Sequence, residues 1–311
     1  MDQTLLFIFN PKSGKAQVKQ KLFDIVDCFV KAGYQTIVHP TQEQHDARKI
    51  VRECAQKVDL IVASGGDGTI NEVVDGLMEL EPQKRPLLGY IPTGTVNDFA
   101  SSLKLSKNIL RATYDILEGQ PFACDVGSFN DEFFTYVAAF GLFTDVAYET
   151  PQQSKNIFGR AAYILEGIKR LGNIQAYPMC IEYDNGATIQ DSFILGMVTN
   201  SVSIGGFKSI SPNDVRLDDG LLEVTLIKQP KNPFELQMII DALLKQNEDS
   251  EYIYLFRTSK LKITSEVEVP WTLDGEYGGT EQKITIENHH KAIRIITPIE
   301  QQKLLITSEI K

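Results

Sequence analysis

Residues Leu60–Glu72 read L-I-V-A-S-G-G-D-G-T-I-N-E, an apolar strand running into Gly65, Gly66 and Gly68, with a helical pattern directly after them. Glycines at the carboxyl end of a strand let backbone amides approach a ligand that a Cβ would hold away. Those amides and the helix N-terminus that follows favour a phosphate. Asp67 among the glycines would repel that phosphate unless a cation lay between them. Mg²⁺ shared by phosphate oxygens and one carboxylate meets the need. The loop fits neither G-x-x-x-x-G-K-[ST] nor G-x-G-x-x-G, and taken alone a tight glycine turn explains it equally well.

A second group of chemistry-bearing residues is Asp274-Gly275-Glu276, after a strand that holds the sole tryptophan, Trp271. The plain reading is a D-G hairpin turn with two solvated carboxylates. The functional one is a carboxylate held near phosphates as a general base, since an alcohol must lose its proton during phosphoryl transfer. A third is the acidic turn Asn213–Gly220, either an exposed charge cluster or a structural Mg²⁺ or Ca²⁺ site of one carboxylate plus main-chain carbonyls. Asn10-Pro11-Lys12-Ser13-Gly14-Lys15 reads as a turn whose lysines and hydroxyl would also suit a phosphate. Asn97-Asp98 opens a helix, where an acid complements the macrodipole.

The elements that must position these groups change character along the chain. Strands at Thr4–Phe9, Gln35–His39, Leu60–Ala63 and Leu87–Ile91 alternate with helical patterns at Ala16–Ala32, Glu43–Lys57, Ile70–Leu80 and Val96–Leu103, with Ile109–Leu117 beyond. This order predicts a parallel sheet covered by helices on both faces. Ligands of such sheets bind at the carboxyl ends of the strands, and here those ends carry Asn10–Gly14, Thr41, Gly65–Thr69 and Pro92–Thr95. After Asp125 short strand patterns separated by turn pairs such as Asp219-Gly220 take over, with helices near Gly159–Leu171 and Pro233–Leu244. The expected fold class is therefore α/β plus mainly β. Residues 1–125 form a parallel-sheet α/β nucleotide domain, and 126–298 an antiparallel β-sandwich domain. The tail 299–311 is a candidate for packing back onto the first.

Composition narrows the function. The chain has 311 residues, 42 % of them apolar, and a net charge of −10, which argues against nucleic acid as a partner. Through Asp125 there are 14 basic against 16 acidic residues, so the acidity is concentrated in the remainder. Four scattered cysteines and four histidines have neither disulfide-framework nor zinc spacing. The early apolar run Leu5–Phe9 is far short of the about 20 residues that span a bilayer, and no signal-peptide pattern is seen. A soluble cytoplasmic protein is expected.

Five motifs in this order give a more specific reading: N-P-K-S-G at Asn10–Gly14, G-G-D-G-T-I-N-E at Gly65–Glu72, P-T-G-T-V-N-D-F at Pro92–Phe99, R-L-D-D-G-L at Arg216–Leu221 and L-D-G-E at Leu273–Glu276. Together they resemble the diacylglycerol kinase catalytic-domain family, in particular its soluble bacterial lipid kinases, with sphingosine and ceramide kinases as relatives. The resemblance covers nearly the whole chain. It implies ATP-dependent phosphorylation of a lipid hydroxyl, with ATP between the two domains; diacylglycerol is the leading substrate, and phosphatidylglycerol, sphingoid bases or an undecaprenyl-like alcohol are the alternatives. Carried over, Asn10, Pro11, Lys12, Ser13, Gly14, Thr41, Gly66, Asp67, Gly68, Thr69, Ile70, Asn71, Glu72 and Thr95 would bind ATP, with Asp67 central to the Mg·ATP arrangement. Glu276 would accept the proton, with Asp274 as an alternative base or Mg²⁺ partner. A structural Mg²⁺ would take Asp219 and the carbonyls of Arg216 and Leu221. The partner implied is a lipid at the bilayer surface, met peripherally without a transmembrane segment; for the oligomeric state, a homodimer and a monomer both stay open. Phe140–Asp145 departs from the family's commoner pattern at the lipid-facing wall. An NAD-kinase-like enzyme shares the G-G-D-G-T loop but lacks the N-P-K-S-G start and the late D-G-E. A lipid-binding regulatory module without catalysis would have no need of Asp67, Asp274 and Glu276.

Overall fold

The computed structural model describes residues 3–14, 16–142, 175–184, 186–201, 203–204, 207–208, 215–245 and 250–300. The expected helix at Gly159–Leu171, the basic stretch Lys155–Lys169, Phe143–Asp145 and the tail beyond Glu300 lie outside them. The first part follows the alternating pattern: β1 (Gln3–Phe9), α1 (Gln17–Lys31), β2 (Tyr34–Pro40), α2 (Asp46–Cys54), β3 (Leu60–Gly65), α3 (Asp67–Met78), β4 (Leu87–Pro92), α4 (Asp98–Ser102), α5 (Ile109–Glu118), then β5 (Gln120–Phe129) and β6 (Glu132–Phe134). Strands β2, β1, β3 and β4 lie side by side in parallel register. Both faces of β1 and β3 are covered, which is why they read as unbroken apolar runs rather than alternating ones. Leu5 and Phe7 point into one layer with α1 and α5, and Leu6 and Ile8 into the other with α2 and α3.

The second part contains β7 (Val137–Gly141), β8 (Tyr177–Tyr183), β9 (Ala187–Thr199), the short pair β10 (Ser203–Ile204) and β11 (Phe207–Lys208), β12 (Leu222–Lys228), α6 (Pro233–Lys245), β13 (Ile253–Thr258), β14 (Lys260–Leu273) and β15 (Glu276–Thr297). The expected fold class is corrected here on two counts. The parallel order ends at β4. Strands β5 and β6 run antiparallel, and β15 returns from the far end of the chain to lie antiparallel to β5 and to touch β4 in parallel at Ile295↔Leu88. Nor is the second part a separate two-layer sandwich. Strands β7, β9, β8 and β14 pair in a closed cycle, a four-strand ring flanked by β12, β13 and β15. Apart from the separate β10–β11 pair, the described strands form one mixed 13-stranded sheet, hydrogen-bonded from β13 to β2.

Long strands make that continuity. β14 has 14 residues and β15 has 22, where the sequence pattern suggests four short strands. Polar interruptions at Ser265-Glu266 and Asn288–Lys291 look like ends but coincide with bulges, where the register shifts between Thr264 and Val269 and between His289 and Ile293. A bulge bends a strand without ending it, so β15 serves the ring at its start and the parallel sheet at its finish.

A cleft between the glycine loop and the start of β15

The glycine loop is the first turn of α3 itself. Gly66 is its N-cap and Asp67 its first residue, three residues ahead of the helix the apolar spacing predicts. The acid there complements the positive end of the helix. Backbone hydrogen bonds fasten the neighbouring loops to this one: Asn10 N–H donates to the Ser64 carbonyl (2.9 Å), Thr93 and Gly94 N–H to the Gly65 carbonyl (2.8 and 3.1 Å), and Thr41 N–H to the Phe9 carbonyl (2.9 Å). Gly94 must be glycine, because a Cβ on it would lie 2.4 Å from the Gly66 Cα. Gly14 has φ +54°, and a Cβ there would sit 2.2 Å from the Thr93 carbonyl oxygen. Three loops thus converge through bare backbone on the edge where the parallel strands end.

They form one wall of a cleft of about 1030 Å³. Asn10, Lys12, Ser13, Gly14, Thr41, Gly66, Gly68, Thr69, Asn71, Glu72, Thr95 and Glu276 all line it. Pro11, Asp67 and Asp274 are not among the residues that line it. The Ile70 side chain is fully buried in the core under α3, and its amide donates to the Gly66 carbonyl. Glu276 opens β15. Its Oε1 lies 4.0 Å from the point where a Cβ on Gly68 would be, so the late carboxylate reaches over the glycine loop from the opposite wall.

The two acids of the D-G-E turn have different surroundings. Asp274 is buried with a left-handed φ of 49°, and its carboxylate accepts five hydrogen bonds. Oδ2 takes Asn71 Nδ2 (2.9 Å), Thr135 N (2.7 Å) and Thr135 Oγ1 (2.7 Å). Oδ1 takes Tyr136 N (2.9 Å) and Val137 N (3.0 Å). It ties α3 to the β6–β7 connection. Burial raises its pKa, while the same backbone donors oppose the rise. Glu276 is exposed to the cleft and adjoins no such network. Asp274→Asn should destabilise the fold by about 3 kcal/mol, because the amide turns an N–H₂ toward backbone donors and leaves buried N–H groups unpaired. Urea unfolding of both proteins measures the difference.

Asp67 is half-buried and its Oδ1 accepts the Phe99 amide at 3.3 Å. Burial, with the carboxylates of Asp98 and Asp274 nearby, pushes its pKa up to about 6. A cation brought beside it would reverse that shift. Glu72 serves the scaffold. Its carboxylate accepts from the His45 and Ala47 amides (2.8 and 3.2 Å), capping the start of α2 from a neighbouring helix.

The expected structural metal residues lie in another turn. Arg216, Asp219 and Leu221 precede β12. The Leu221 amide donates to Asp219 Oδ1 at 3.0 Å. Asp219 Oδ2 is paired with Arg257 of β13, which also reaches Glu223 Oε1 at 3.2 Å. Asp125, fully buried beside this turn, accepts from the Gly220 and Lys291 amides, Asn288 and His290. Both Asp219 oxygens are already occupied, one by a guanidinium. Among the described residues no three His, Cys, Asp or Glu side chains gather as a metal site. Arg257 supplies a positive charge to Asp219 in this turn.

Spacing alone misses the far end of the cleft: Gln42, His45, Arg48, Asp75, Glu132 and Phe133. A signal for Asp75 is present in the sequence, because Gly68, Asn71, Glu72 and Asp75 share a helix face.

Comparison with known proteins agrees with this arrangement. Residues 4–129 match the model of the diacylglycerol kinase catalytic domain, and residues 138–297 that of the YegS C-terminal NAD kinase beta sandwich-like domain. A diacylglycerol kinase of Bacillus subtilis (strain 168) is 34 % identical over 300 residues, 96 % of this chain and 97 % of that protein. A crystal structure of a diacylglycerol kinase from Bacillus anthracis str. Sterne superposes with a TM-score of 0.74 at 28 % identity, covering 96 % of this chain and 98 % of the other. Yeast NADH kinase complexed with NADH, at 12 % identity, shares the fold with a TM-score of 0.52 over 99 % of this chain and 89 % of its own. The chain is a member of the diacylglycerol kinase catalytic-domain family.

Proposed function

We propose that this protein transfers the γ-phosphoryl group of ATP to the free hydroxyl of a membrane lipid, diacylglycerol foremost, giving phosphatidic acid. The observation that carries the reading is the approach of Glu276 to Gly68 across the cleft, which puts a proton acceptor opposite a phosphate cradle. Bare amides of the glycine loop, the α3 N-terminus and Lys12 would hold the triphosphate. Mg²⁺ arriving with ATP would neutralise phosphate charge, and Asp67 is the acid beside its path. Glu276 would take the proton of the lipid hydroxyl as its oxygen bonds to the γ-phosphorus and the bond to the β-phosphate oxygen breaks, releasing ADP. Asp274 would be a positioning residue, holding the strand that presents Glu276.

No described helix is long and apolar enough to cross a membrane. We place the protein at the cytoplasmic bilayer surface, docking peripherally by way of the basic Lys12–Lys21 side. Incubating the protein with labelled ATP, Mg²⁺ and a panel of diacylglycerol, phosphatidylglycerol, sphingoid base and NAD tests the assignment. Label in phosphatidic acid is the expected result. The shared fold with yeast NADH kinase makes NAD the informative control, and label in NADP alone would replace the lipid reading. Lipid retention with no labelled product would favour a binding module.

A further inference from the structure

The cleft face of α3 is a polar stripe: Gly68 at the loop end, then Asn71, Glu72 and, seven residues from Gly68, Asp75. At 1.5 Å per residue that is about 10 Å along the axis, a span over which a bound nucleotide would carry its base away from its phosphates. Gln42, His45, Arg48, Glu132 and Phe133 line the cleft here, with Arg48 reaching to 3.5 Å of Glu132.

The carboxylates at this end are matched with donors, with one exception. Glu72 caps α2. Glu79 holds Arg48 at 2.7 Å, and Glu132 lies 3.5 Å from the same guanidinium. Asp75 is only 5 % exposed, and its Oδ1 has no hydrogen-bond partner. Its Oδ2 is ion-paired with Arg48 Nη1 at 3.9 Å, too long for a hydrogen bond, so the unmatched atom is Oδ1 alone. A buried acceptor without a donor is costly, and the residue that carries it lines the cleft seven positions along α3 from Gly68.

We propose that Asp75 selects the base of the nucleotide, accepting an N–H of the 6-amino group of adenine and disfavouring guanine, whose 6-oxo group would bring a second acceptor to the same carboxylate. This rests on the kinase reading above. Burial pushes the Asp75 carboxyl up to about 7, against the pull of Arg48, so an N–H donor from the ligand would favour its anion. Sites built around a polar contact reject analogues that lack it far more strongly than apolar pockets do.

The test is direct binding of nucleoside diphosphates to the full chain by calorimetry, with no turnover needed. Wild-type protein should bind ADP about 100-fold tighter than GDP, and at least about tenfold tighter than purine riboside 5′-diphosphate, which lacks the amino group. Asp75→Asn, which can turn its amide toward a 6-oxo group, should bring ADP and GDP to within about tenfold of each other. A folded Asp75→Asn protein that keeps the wild-type ADP-to-GDP ratio would overturn the proposal. So would wild-type protein that binds purine riboside diphosphate as well as ADP, a result that does not depend on any variant folding. Binding of none of the three would remove the kinase reading itself, a distinguishable outcome.

Discussion

Asp67→Asn should abolish phosphoryl transfer and, at neutral pH, make the protein harder to unfold. The wild-type carboxyl titrates at about 6 in the fold against 3.8 as the ordinary value. Its neutral form is therefore the one the folded chain prefers, and the associated stability is present below pH 4 and lost as the pH rises through 6. Two units correspond to at most about 3 kcal/mol, and the partial exposure of Asp67 reduces this to about 1–2 kcal/mol. Asparagine keeps the oxygen that accepts the Phe99 amide and carries no charge. For a chain of this size the melting temperature should rise by about 2–6 °C at pH 7.5, with the gain vanishing near pH 4. Turnover should fall by at least about 1000-fold, because no anion remains to hold the cation that accompanies ATP. Scanning calorimetry at the two pH values and a labelled-ATP assay read the two halves separately. A variant with wild-type-like rates would defeat the role given to Asp67.

Glu276→Gln should separate chemistry from binding. Its carboxylate faces the glycine loop from the other wall and adjoins no structural network like that of Asp274, so its loss leaves the fold intact. General-base catalysis contributes about 10² to 10⁴-fold, and kcat should fall by that amount while the ADP dissociation constant changes less than about threefold. Single-turnover kinetics beside calorimetric ADP binding would decide it. Weakened nucleotide binding with an unchanged rate would move Glu276 from proton acceptor to nucleotide ligand.

The parts of this molecule that can be read from its chain are those in which neighbours in sequence are neighbours in space. The β1–β4 alternation and the loops after them depend on local spacing, and they lie where that spacing puts them. The roles of Asp274 and Glu276 are not separable in the same way. A D-G turn looks solvent-exposed on paper, yet the donors that bury Asp274 come from Thr135–Val137 and Asn71, 137 to 203 residues away. Glu72 reads as a nucleotide ligand because it closes the G-G-D-G-T-I-N-E motif, and no local rule says that a side chain of one helix will cap another. The bulged strands read short for a different reason. Asn288-His289-His290-Lys291 has the composition of a loop, and only the partner strand β5 shows that the chain continues through it. Arg257 gives no warning of its pairing with Asp219, since cross-strand register brings it to Glu223 first.

The 22-residue strand β15 has a mechanical consequence. Its first residue is the carboxylate above the glycine loop, and its last third is stitched to β5 and touches β4 beneath that loop. The gap between that carboxylate and the glycine loop is therefore a ruler length set by one continuous ribbon. Widening it to admit a lipid head means flexing that ribbon at its kink near His289–Ile293, against the stiffness of the ladder.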